Sequence, residues 1–382
     1  MRMFLLTLFL ITFSSITSAS ITWETPKKIT SKVLQEPRDY RVSLPIDYNE
    51  NTDKQYSLLL ILDGQFYGDL VANNALFLSD AGDIPYHVVV ALDSTNRLRD
   101  FTPTDSDDWV GDGGADKFLH FVTQELLPEL QGLYRIEKHK VIWGHSAAGL
   151  YVMHHMMSAP NSFDAYLVND GSLDWDNKVI EKELSQYLQR SDRPRQFLYF
   201  NNSYLIQDMP DEVRFIAPLK DILRNNAGEK LRWVHQNLDN ESHGSIPLIG
   251  SINGLRALYE GYRIPESVVF SGLDGLISYF ERVKHHIGAP NQIPENSILD
   301  LAFHQLWTKP ATSVATFEYC LELYPESLSA LEGLSEAYLN QGDFSRGLKT
   351  LETAIQKAQK TDSEKAVELQ KKLGQLKLEQ DL

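Results

Sequence analysis

The sequence predicts an α/β protein, a mostly parallel sheet covered by helices on both faces, with an all-helical region after it. Three observations carry this. Short, almost continuously apolar runs recur and alternate with helix-compatible stretches up to about residue 262. Such runs fit strands buried on both faces, and their alternation with helices implies a parallel sheet. A serine between small residues, Trp143-Gly144-His145-Ser146-Ala147-Ala148-Gly149, sits between one such run and a helical stretch. Beyond residue 263 strand signals vanish and from Ser297 the pattern is helical throughout.

Met1-Arg2-Met3 is a short basic start, Phe4 to Phe13 is almost purely apolar, and Ser14 to Ser20 is small and polar. This has the form of a secretory leader over residues 1–19, with a mature start near Ser20 and a periplasmic or secreted destination. Its apolar core is shorter than the ~20 residues of a bilayer span. The formal net charge of -16 argues against nucleic acid as a partner and gives no support for an anionic membrane surface. Cys320 is the single cysteine, so an internal disulfide is excluded. Its apolar helical surroundings predict burial.

Tyr40-Arg41-Val42-Ser43-Leu44-Pro45 alternates like an edge strand that ends at a proline. Tyr56 to Leu62 is a buried strand that stops at Asp63-Gly64-Gln65, and a helix is expected over residues 67–79. His87 to Leu92 is the next strand, followed by a long polar loop from Asp93 to Asp108. Ala115 to Leu130 reads as an amphipathic helix. Lys140-Val141-Ile142-Trp143 leads into the serine motif and Leu150-Tyr151-Val152-Met153 leads out. Strands follow at Phe163 to Val168, Gln196 to Phe200 and Lys230 to His235, with helices over about 176–189, 211–226 and on to about 260. Residues 263–296 form a helical connector, with a helix over about 267–285. In residues 297–382, the spacing of Leu331, Leu334, Tyr338, Gly342, Phe344, Gly347, Leu351 and Ala354 matches one tetratricopeptide repeat. Ser363 to Leu378 has the polar, amphipathic pattern of a capping helix.

A serine at a sharp strand-to-helix turn is the sequence form of a nucleophile elbow, with Gly144 and Ala148 at the close approach. The motif is usually written with glycine in place of Ala148. An ordinary Gly/Ala-rich turn at a helix start has the same look, so the surroundings must decide. Ligands of open parallel sheets bind beyond the carboxyl ends of the strands, and the loops at Asp63, Ser146 and His243 all fall there. A serine hydroxyl needs a base. Among 11 histidines, His243 is the one in a Gly/Ser-rich loop after the last strand. The acid is expected after the strand that ends near Phe200, giving the order Ser, acid, His; Asp208 is the carboxylate still within that loop. A Ser-His dyad, with Asn201 or a backbone carbonyl orienting the imidazole, is the alternative. Ala147 and Gln65 are the expected sources of oxyanion-hole amides. Arg97 and Arg99 could reach the mouth of the site and hold a carboxylate or catecholate oxygen of a substrate, or pair with Asp93 or Asp100. No metal-ligand spacing occurs, and no cofactor is expected.

The chain up to about residue 262 resembles the putative esterase family, which includes esterase D, feruloyl esterases and trilactone siderophore esterases. The resemblance rests on Leu62-Asp63-Gly64-Gln65, on Asn96-Arg97-Leu98-Arg99-Asp100-Phe101-Thr102-Pro103, on Gly144-His145-Ser146 and on His243-Gly244-Ser245-Ile246-Pro247. It implies an α/β-hydrolase fold over residues 20–262 and hydrolysis of a small-molecule ester through an acyl-serine. It also maps the nucleophile to Ser146, the base to His243 and the oxyanion amides to Ala147 and Gln65. With a leader, the chain looks most like the periplasmic salmochelin and enterobactin esterases, described as Ser-His dyad enzymes. Ala148 and the C-terminal repeat depart from the family pattern. The repeat raises a second reading, a protein-binding or self-associating module that carries a relic hydrolase domain.

Overall fold

The computed structural model describes residues 20–49, 54–107, 111–204, 216–288 and 292–380; the expected leader and Asp208 lie outside them. The described strands are β1 (Lys27–Ser31), β2 (Glu36–Ser43), β3 (Tyr56–Leu62), β4 (His87–Leu92), β5 (Ile136–His145), β6 (Ala165–Asn169), β7 (Gln196–Ser203) and β8 (Leu231–Leu238). They form one sheet in the order β1-β2-β4-β3-β5-β6-β7-β8. β1 pairs antiparallel with β2 and β2 with β4, and β3 through β8 run parallel. β2 is therefore not an edge strand, as its alternation suggested. The edge on that side is β1, short and opened by two lysines, a composition that discourages further pairing.

Strand parity divides the apolar residues between two cores. Leu58, Leu60, Leu62, Val88, Val90 and Ile142 face one side of the sheet. Over them lie α3 (Ala115–Phe121), α4 (Leu127–Leu133), α5 (Ala147–Ser158), α6 (Trp175–Leu188) and α7 (Ile216–Asn226). Leu59, Ile61, Val89, Val141 and Trp143 face the other side, beneath α1 (Gly64–Asp80) and α8 (Ile246–Leu258). The short α2 (Arg97–Phe101) lies within the expected polar loop. The helix expected over 115–130 is interrupted by a π-helical turn at Val122–Leu126. There the Leu127 N–H reaches back five residues to Val122, next to Pro128, which has no N–H to give.

The helix expected over 267–285 is divided into α9 (Glu266–Val269) and α10 (Leu273–Ile287) by Gly272, whose φ is 100°. α11 (Glu295–Thr308), α12 (Pro310–Leu323), α13 (Leu328–Asn340), α14 (Phe344–Thr361) and α15 (Ser363–Gln380) complete an all-helical region. α10 ties the two parts together. Val283 and Ile287 pack under the sheet, whereas Leu276 and Phe280 join a separate core with Ile298, Leu301, Phe317 and Ala330. α13 and α14 form a hairpin turned at Gly342, and Ser335 donates to the Gly347 carbonyl where they meet. Cys320 is buried in this core, and burial pushes its thiol pKa up to about 12. Among the described residues no helix is long and apolar enough to cross a membrane.

Candidate active site

β5 carries the serine motif in the middle of the sheet. Its last residue is His145, and α5 starts at Ala147. Ser146, between them, has φ 60° and ψ −122°, a conformation that costs a non-glycine residue strain and is held only where its surroundings over-determine it. Those surroundings are visible. The Ser146 N–H donates to the Asn169 carbonyl (3.0 Å), and the Ser146 carbonyl accepts from Ser172 N–H (3.1 Å) and Leu150 N–H (3.0 Å). A Cβ on Gly144 would overlap the Ala148 carbonyl. The close approach thus constrains Gly144, and the Ala148 methyl is simply buried.

His243 lies in the loop between β8 and α8, with nearly half of its side chain exposed. Its Nδ1 is 2.7 Å from Oδ2 of Asp170. A carboxylate partner requires the proton on Nδ1, which leaves Nε2 as the basic nitrogen. Asp170 directly follows β6, one strand before the one after which an acid was expected. Asp208, the expected acid, lies outside the described residues, and the acceptor at Nδ1 is Asp170. The chain order Ser, Asp, His is kept. The physical reason lies in β7, which does not stop at Phe200 but continues through Asn201, Asn202 and Ser203, all buried. Asn201 accepts from Asp170 N–H (2.9 Å) and donates to Asn169 (2.9 Å), and Asn202 Oδ1 meets His235 Nε2 at 2.7 Å. These cross-strand bonds keep polar residues in the sheet where hydropathy predicts a strand end. Asn201 touches Asp170 and not the His243 imidazole.

Asp170 is itself strained, with φ 41°. Burial pushes its pKa up, but hydrogen bonds from His243 and from the Ser203 N–H (3.0 Å) outweigh it, and the pKa falls below the ordinary 3.8. The sequence offered one signal for it. Asn169-Asp170-Gly171-Ser172 is a strand-end loop of the same kind as those at Asp63 and His243.

Gln65 lies in the first turn of α1, after Asp63 in the left-handed conformation (φ 53°). Its side chain exchanges hydrogen bonds with Ser94: Nε2 donates to the Ser94 carbonyl (3.0 Å), and Oε1 accepts from Ser94 N–H (3.0 Å). Gln65 and Ala147 thus both sit in first helical turns, whose N–H groups have no intrahelical acceptor. Arg97 pairs with neither Asp93 nor Asp100. Its Nε donates to the buried carboxylate of Asp63 (2.9 Å), which also accepts from Ser94 Oγ (2.6 Å). Arg99 is turned away, toward Glu36 and Asp100, and buried Arg38 joins the same carboxylates. The Arg99 hydrogen bond is the main reason the Glu36 pKa drops to about 2. Among the described residues no group of three or more His, Cys, Asp or Glu could hold a metal ion.

Comparison with known proteins agrees with this architecture. The family described as putative esterase matches residues 31–194. Ferri-bacillibactin esterase BesA of Bacillus subtilis is 33% identical over 106 residues, 25% of this chain and 37% of that protein. The siderophore triacetylfusarinine C esterase of Aspergillus fumigatus is 31% identical over 176 residues, 40% of this chain and 58% of that protein. The chain thus matches only part of the length of these relatives. The fold is that of an IroE-like serine hydrolase from Shewanella oneidensis, with TM-score 0.69 and 23% identity over 79% of this chain and 100% of that one. An uncharacterised protein from Capnocytophaga ochracea has TM-score 0.63 at 17% identity over 93% of this chain and 99% of that one. Its likeness therefore extends into the helical region. The chain has an α/β-hydrolase fold with an all-helical C-terminal region, and its residues 31–194 are similar to the putative esterase family.

Proposed function

We propose that the protein is an exported serine hydrolase that cleaves carboxylic esters through an acyl-serine. The observation that carries this reading is the hydrogen bond between His243 Nδ1 and Asp170 (2.7 Å) next to an elbow serine held at φ 60°. Ser146 Oγ attacks the ester carbonyl and passes its proton to His243 Nε2. Asp170 stabilises the imidazolium that forms. The N–H groups of Ala147 and Gln65 receive the developing oxyanion. His243 then gives its proton to the leaving alkoxide, and a water activated by the same nitrogen releases the acyl group. Export rests on the leader pattern of residues 1–19. We divide the mature chain into an esterase domain (20–262), a helical connector (263–296) and a repeat-like helical region (297–382).

For the substrate we infer a siderophore ester, in keeping with what the relatives' names say they act on. Arg97 supports it. Asp63 occupies its Nε, and the outer end of a guanidinium that is 40% exposed can meet a catecholate or carboxylate oxygen. The test is a fluorophosphonate probe together with an ester panel that includes a catecholate trilactone. Wild type is expected to label and hydrolyse, and Ser146→Ala to do neither. An unlabelled, inactive wild type would sink the reading. Good turnover of simple acyl esters with an intact trilactone would sink only the siderophore assignment.

A further inference from the structure

His145 and Ser146 are adjacent, yet nothing in the acyl-transfer scheme uses the histidine. Trp143 and His145 point to the same face of β5, the face under α1 and α8. Tyr67 of α1 packs edge-on to the His145 ring, with centroids 5.1 Å apart. The His145 ring also lies against the His243 ring, centroids 4.4 Å apart and planes at 40°. His145 Nε2 is 2.8 Å from the His243 main-chain carbonyl.

A carbonyl can only accept, so this bond places the proton of His145 on Nε2. Nδ1 is then a bare lone pair. It is buried without a hydrogen-bond partner in a residue only 3% exposed. Protonating it would leave an N–H without an acceptor and a charge against the His243 ring. Burial, then the neighbouring His243 and Arg97, push the His145 pKa down to about 4, against the opposing pull of the His243 carbonyl and Asp170. His145 is a neutral donor of fixed tautomer.

We propose that His145 is a positioning residue for the base, holding the His243 main chain through Nε2–H while Asp170 holds the ring through Nδ1. Two grips on one loop residue fix both its main chain and the direction of its Nε2. Because His145 stays neutral, the charge that appears on His243 during acyl transfer has a carboxylate on one side and no competing cation in the ring beside it. This rests on the reading of His243 as the base.

The experiment compares three variants of the full chain, using p-nitrophenyl acetate hydrolysis and fluorophosphonate labelling, with melting temperature as the check on folding. A glutamine amide reaches about as far as imidazole Nε2; an asparagine amide stops short, and phenylalanine keeps the ring without the donor. His145→Gln should stay within about fivefold of wild type, whereas His145→Asn and His145→Phe lose kcat by about tenfold to a hundredfold with KM little changed, the scale of a misplaced catalytic group. Folded Asn or Phe variants as active as wild type, or an equal loss in Gln and Asn, would overturn the proposal. Should the Phe variant misfold, the Gln–Asn contrast still decides. A wild type that fails to label would instead overturn the underlying assignment of Ser146 and His243.

Discussion

Asp170 accepts from the His243 imidazole on one carboxylate oxygen and from the Ser203 amide on the other, so both its position and its charge are committed. Asp170→Asn keeps the size and removes the charge that stabilises the imidazolium. It is expected to lower kcat by roughly 10²–10⁴-fold, the usual weight of such a group, while the protein stays folded. Steady-state hydrolysis with circular dichroism checks this, and a variant within a few-fold of wild type would remove Asp170 from the machinery. At this scale the sequence was informative about Ser146 and His243, because each announces itself in a contiguous motif. It was uninformative about their partner. The chain holds 52 acidic residues, and nothing local distinguishes the one that meets an imidazole 73 positions away.

Between elements, the site depends on polar contacts that replace apolar packing. α8 crosses the sheet so closely that a Cβ on Gly250 would overlap the side-chain amides of Asn169 and Asn201, the pair behind the acid. Behind the elbow, His154 on α5 joins two further helices. Its Nδ1 is 3.0 Å from Glu183 of α6, and its Nε2 is 3.1 Å from Asp116 of α3. Both nitrogens can donate only in the imidazolium form. Burial opposes that charge, but the two carboxylates outweigh it and raise the pKa above the ordinary 6.5. A raised folded-state value means that the stabilisation is complete below about 6.5 and fades as pH rises through the folded value. His154→Gln should therefore melt below wild type by a gap that is wide at about pH 5.5 and narrower at about pH 9. Thermal melts across that range test it, and a gap independent of pH would contradict the ion-pair account.

At the scale of the whole molecule, α10 determines how the two parts depend on each other. One side of it belongs to the sheet's core and the other to the core of the helical region. Ending the chain at Pro294 would strip the partners of Val269, Leu276 and Phe280, which are buried against Ile298, Leu301 and Phe317. Exposed apolar surface of this kind drives association. The truncated protein is expected to bind a hydrophobic dye and to run as aggregates on gel filtration. A monodisperse, active product would mean that the helical region is an independent appendage.

The sequence by itself determined the alternation of strands and helices, the change to an all-helical region, and the sharp strand-to-helix turn at Ser146. All of these are written in short contiguous stretches, in the period of apolar residues or the spacing of a motif. Tertiary structure alone decided which carboxylate holds His243, that Arg97 is tied to Asp63, that β1 covers β2, and that His145 meets the His243 main chain. Each of those depends on how far a strand continues and which strands stand side by side. Asn201 and Asn202 stay in β7 because their amides find partners on β6 and β8. That pairing exists only once the sheet has formed, and it leaves Asp170 at a strand end facing His243.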